Sequence, residues 1–114
     1  MAVYILISKA EWESSKLSGE YRARSLDDEG FTHCSQDEEQ VLRVANRLFI
    51  GRRDMLVLEV DTDRLTSPVK RESSRSGEIY PHIYGPLNVD AVARVRSLLT
   101  DTGGKFYGAG DESS

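Results

Sequence analysis

A chain of 114 residues with a formal net charge of −4 holds one core of useful size, since two cores would each sit near the lower limit of independent stability. Its 39% hydrophobic and 30% charged content excludes a disordered chain, and the acidic balance excludes a general attraction to nucleic acid or anionic lipid. The single cysteine, Cys34, excludes an internal disulfide and fits a reducing compartment.

At the N-terminus, "VYILI" (3–7) is a β-branched apolar run short enough for a buried strand. The opening "MAVYILIS" lacks the basic start and small-residue cleavage site of a secretion signal, and no run reaches membrane-span length, so a cytoplasmic location is expected. Ser8 with Glu11 forms a capping box, predicting a helix from Lys9 to about Leu17 that carries Trp12 into the core and ends at Gly19. "SLDDEG" (25–30) reads as one acidic helical turn closed by glycine, and "FTHCS" (31–35) as a short strand.

Ser35 with Glu38 predicts a second capping box. Val41, Leu42, Ala45, Leu48 and Phe49 then recur at helical spacing until Gly51. Arg43, Arg47, Arg52 and Arg53 cluster near that helix end, where cations complement the helix dipole. "MLVLEV" (55–60) reads as a second buried strand, 61–64 as a turn, and "PVKRE" (68–72) as an edge strand begun by proline. "SSRSG" (73–77) is a loop by composition, residues 79–84 are extended despite Pro81, and Asn88 caps a turn into "AVARVRSLL" (91–99), expected as the last strand. The domain is therefore expected over 1–99, with 100–114, glycine-rich and without apolar period, as a flexible tail. Mixed helices and strands with hairpin-length loops predict an α+β fold.

Strand alternation sorts 78–84 into two faces. Ile79, Pro81 and Ile83 form an apolar one, while Glu78, Tyr80, His82 and Tyr84 present a carboxylate, an imidazole and two phenols. A half-exposed, solvated strand face is the plain alternative; the density of tunable groups favours a site about equally. In "FTHCS", Phe31, His33 and Ser35 share one face and Thr32 and Cys34 the other, which sets a His33–Cys34 dyad aside. Cys34 reads as a buried structural residue. The His and Cys spacing fits no metal-ligand pattern, and neither a Walker A loop nor GxGxxG occurs.

"EGFTHCS", then "VANRLF", then "GEIYPHIYGPLNVDAV", with "AEW" and "LVLEVDTDRL" in order, closely resemble the domain-of-unknown-function 952 family over nearly residues 3–99. The resemblance implies an ADP-ribosylation-like α+β fold: two small, mainly antiparallel sheets around a cleft, with two or three short helices. In active relatives of that fold the cleft holds NAD, and a late-strand glutamate grips the ribose and steadies the oxocarbenium-like transition state. Carried over, Glu78 is the late glutamate, and "GFTHCS" is the middle strand, offering His33 and Ser35. The implied cleft is lined by Tyr4, His33, Ser35, Glu78, Tyr80, His82 and Tyr84. Glu78, His33 and His82 are its catalytic candidates, and Tyr4, Ser35, Tyr80 and Tyr84 its cofactor-binding ones. Ile5 stands where family members usually carry histidine after the first-strand tyrosine, and His33 or His82 would have to substitute for it. The implied cofactor is NAD and the implied partner a nucleotide-like small molecule, with no metal and no membrane. Two non-catalytic alternatives keep the same residues: a small-ligand module that retained the cleft, or a protein-interaction domain anchored by Tyr80 and Tyr84.

Overall fold

The continuous apolar run at the N-terminus becomes β1 (Ala2–Ser8), with Val3, Ile5 and Ile7 buried and Tyr4 and Leu6 turned to the other face. The computed structural model describes residues 1–111. Ser8 opens α1 (Lys9–Ser18) with the expected reciprocal cap: its hydroxyl accepts from Glu11 N–H at 3.1 Å, and the Glu11 carboxylate accepts from Ser8 N–H at 3.2 Å. Gly19 closes the helix at φ 87°, a left-handed conformation that glycine adopts without a Cβ penalty. β2 (Glu20–Tyr21), α2 (Arg24–Glu29) and β3 (Thr32–His33) follow. After them come α3 (Glu38–Leu48), β4 (Met55–Asp61), β5 (Val69–Ser73) and β6 (Ile79–Ile83). The chain continues through β7 (Leu87–Asn88) and β8 (Val92–Thr100) to β9 (Phe106–Asp111).

The α+β class holds, with three hydrogen-bonded sheets among the described residues in place of the expected two: β1-β4-β8-β9, β3-β6-β5 and the short pair β2-β7, all antiparallel. The third arises because Glu20–Tyr21, just past Gly19, pairs with Leu87–Asn88, a contact with no local signal. On the long sheet Val3, Ile5 and Ile7 lie opposite Val60, Leu58 and Leu56. These six join Trp12, Cys34, Ile83, Leu87 and Ala91 in one buried cluster. Each fully buried aliphatic side chain stabilises the fold by roughly 1.5–3 kcal/mol. Val41 and Ala45 of α3 are buried outside that cluster, where the helix packs on β1 and β9.

Two local expectations are corrected. Asp37, not Ser35, caps α3, accepting from Gln40 N–H at 2.8 Å. Ser35 is withdrawn from capping because its backbone forms a bridge with Tyr4, with both N–H···O distances at 2.8 Å. That bridge also joins the long sheet to the β3 segment. The second correction concerns the expected tail. Thr100 ends β8, and after a turn residues 106–111 form strand β9, paired to β8 and carrying the buried Phe106. Its two glycines and the alanine between them hide the strand from any periodicity test, and the side-chain amide of Asn46 in α3 supplies the missing partner. Asn46 Nδ2 donates to Phe106 O at 2.9 Å, and Phe106 N–H donates to Asn46 Oδ1 at 2.8 Å. β8 is therefore not the last strand. The rest of the expected tail, 112–114, lies outside the described residues.

Candidate functional site

The three-stranded sheet builds the site by register. His33 of β3 lies opposite His82 of β6, and on the other side of β6 Lys70 lies opposite His82 and Glu72 opposite Tyr80. Thr32, Cys34, Pro81 and Ile83 are buried, as alternation requires, while Ile79 at the start of the strand is exposed. On the other face the Phe31 ring stacks on His82 at 4.0 Å between centroids, and it meets His33 edge-on at 5.0 Å.

Each imidazole is held by a carboxylate. His82 Nδ1 is 2.8 Å from Glu72 Oε1, and His33 Nε2 is 2.8 Å from Glu29 Oε2. A carboxylate only accepts, so the ring nitrogen facing it carries the hydrogen. His82 Nε2 and His33 Nδ1 make no hydrogen bond among the described residues. The Tyr84 hydroxyl also donates to Glu72, and these two hydrogen bonds, Tyr84's first, hold the Glu72 carboxyl below its ordinary range. The same bond pushes the Tyr84 phenol up.

A cleft of about 650 Å³ opens between the second half of α3 and the β3 segment. It brings together Tyr4, His33, Ser35, Tyr80 and His82 of the expected residues. Glu78 and Tyr84 do not line it. Glu78 is drawn to α3 instead: Gln40 Nε2 donates to its carboxylate at 3.1 Å, Arg43 forms a close ion pair with it, and the Tyr80 hydroxyl donates at 3.0 Å. Those contacts, Gln40's first, hold its carboxyl below the usual range. Ile5 is in the core cluster and offers no polar group. The hydroxyls of Tyr80 and Tyr84 are bonded to Glu78 and Glu72 within the chain.

Sequence reading passed over Glu29, Glu72, Arg47, Arg75 and Tyr21. All but Glu72 line the cleft. Arg47, near the C-terminal end of α3, and Arg75, in the loop before β6, form no ion pair among the described residues. Glu72 was detectable in principle, because a hairpin between 68–72 and 79–84 places it beside His82. Burial, then the Glu11 and Cys34 charges, push the Tyr21 phenol up to about 12. Thr32 also borders the cleft, and its buried hydroxyl has no hydrogen-bond partner among the described residues.

Cys34 is a core residue whose thiol donates to Thr32 O at 3.6 Å, and burial pushes it up to about 12. A thiol so raised is a poor nucleophile. Among the described residues no three His, Cys, Asp or Glu side chains gather as a metal set, and no helix is long and apolar enough to cross a membrane.

Solved structures share this architecture. The crystal structure of protein CC0527 from Caulobacter crescentus is 35% identical over 94% of each chain, with a TM-score of 0.81. The solution NMR structure of CC0527 is 34% identical over 90% of this chain and 89% of that one, with a TM-score of 0.77. No curated protein matches the chain. The model of the family described as "Protein of unknown function (DUF952)" matches residues 6–95, a span that contains β3, α3, β6 and every expected site residue except Tyr4, and the chain belongs to that family.

Proposed function

We propose that the cleft binds a small phosphate-bearing, nucleotide-like molecule. One observation carries this reading: Arg47 and Arg75 line a cleft of about 650 Å³ without a carboxylate partner among the described residues. A guanidinium presents a planar fork of donors that matches phosphate oxygens, and an unpaired one at a cleft suits an anion better than a solvated surface. Tyr4, Tyr21 and Tyr80 add flat apolar surface and hydroxyls, the mixture that nucleotide bases and sugars need. NAD is the first ligand to test, as the ADP-ribosyltransferase-like kinship of the fold is part of this reading. A reducing, nucleotide-containing cytoplasm suits it.

The geometry supports binding over transfer. Transfer of ADP-ribose needs a carboxylate at the ribose, and Glu78 is committed to Gln40, Arg43 and Tyr80 away from the cleft lining. Glu29, which lines the cleft beside His33, is the carboxylate a transferase reading would have to use. Calorimetry and amide shift mapping with NAD, ADP-ribose and AMP test the proposal. Binding should shift residues around His33, Arg47 and Tyr80, and Arg47→Ala with Arg75→Ala should weaken it by at least tenfold. Cleft signals unmoved at millimolar ligand would overturn it.

A further inference from the structure

We infer that His33 and His82 form an acid–base couple that hydrolyses a phosphodiester of the bound nucleotide-like molecule, an inference that rests on the reading of the cleft as a phosphate site. Hydrolysis of a phosphodiester needs one group to take a proton from water, another to protonate the leaving oxygen, and positive charge on the non-bridging oxygens. The cleft offers all three. The two imidazoles are directly opposed on neighbouring strands, with centroids 5.3 Å apart and planes at 86°. Both line the cleft with Arg47 and Arg75.

Their surroundings assign the roles. The side chain of His82 is 14% exposed, lies flat under Phe31, and gives its Nδ1 hydrogen to Glu72, a carboxylate also held by the Tyr84 hydroxyl. A half-buried imidazole backed in this way has a fixed tautomer that leaves the Nε2 lone pair available, so His82 is the base. The side chain of His33 is 57% exposed, gives its Nε2 hydrogen to Glu29 and leaves Nδ1 without a hydrogen bond among the described residues, so His33 is the acid. His82 Nε2 removes a proton from water as the water oxygen bonds to phosphorus. The phosphorus–oxygen bond to the leaving alkoxide breaks, and that oxygen takes the Nδ1 proton of the His33 imidazolium. One water is consumed, a phosphomonoester and an alcohol are released, and the two histidines return to their starting states by proton exchange with solvent.

The test incubates the full chain with 2′,3′-cyclic AMP and with bis(4-nitrophenyl) phosphate, following products by phosphorus NMR and nitrophenolate absorbance. AMP binding is measured in parallel by amide shifts. Turnover is expected, and it should fall by at least about 100-fold in His33→Gln and in His82→Gln. His33 is exposed, so its substitution leaves the fold intact, and the amide spectra check His82→Gln. Wild-type protein that binds AMP yet releases no product above the buffer blank overturns the couple and leaves the binding site standing. Turnover that survives both substitutions overturns it as well. Failure to bind AMP, with no turnover, removes the phosphate site and the couple together.

Discussion

His33 and His82 face each other across the β3–β6 pair, and the Phe31 ring touches both, stacked on one and edge-on to the other. Such aromatic contacts contribute about 1 kcal/mol each beyond their area burial. Phe31→Leu should therefore lower stability by about 1–2 kcal/mol. It should also broaden or shift the His82 ring resonances, because the ring loses the plane it rests on. Urea denaturation and imidazole NMR check this, and a variant with wild-type stability and unmoved His82 signals would contradict it.

Asn46 stands in for a strand partner by both donating to and accepting from Phe106. Removing the amide leaves two backbone groups of a half-buried segment unpaired, which costs about 1–3 kcal/mol. Asn46→Ala should be destabilised by that amount in urea. Its amide exchange should speed up most over 106–110, with β1 little affected. Uniform acceleration across both strands would show that β9 is not held through Asn46.

Acid should loosen the bonds of Glu78 to α3 and those of Glu72 to His82 and Tyr84. Glu72 and Glu78 both carry carboxyls held below the ordinary value of 4.5 by their hydrogen-bond donors. For groups depressed in the folded state, the stabilisation is complete above the unfolded value and is lost as pH falls through the folded one. Melting temperatures should thus fall steeply below about pH 4.5 in the wild type and less steeply in Glu78→Gln. Both carboxylates are partly solvated, so salt should shrink the difference between the two curves. Parallel curves for the two proteins would rule this out.

The Cys34 thiol, pushed up to about 12 by burial, should resist alkylation at pH 8 in native protein and react promptly in urea. The native rate should follow the population of opened molecules. Labelling of folded protein at the rate of a free thiol would place the side chain outside the core.

Much of the fold was legible because its signals are short-range. Ser8 and Glu11 lie three residues apart, the β1 and β4 runs are continuous, and alternation sets Thr32 and Cys34 opposite His33 and turns Pro81 and Ile83 inward, though Ile79 is exposed and Ser35 buried. These features depend on steric and hydrogen-bonding rules that act within a few residues, so composition and spacing carry them. Only the tertiary structure decided the rest. Gln40, buried in α3, donates to Ile79 O across 39 positions, and Asn46 reaches Phe106 across 60. Those bonds, with the Tyr4–Ser35 bridge, hold α3 against both sheets and carry Glu78 away from the cleft while leaving Arg47 and Arg75 on it. Each depends on the register in which distant segments meet, and no single segment of the chain encodes that register.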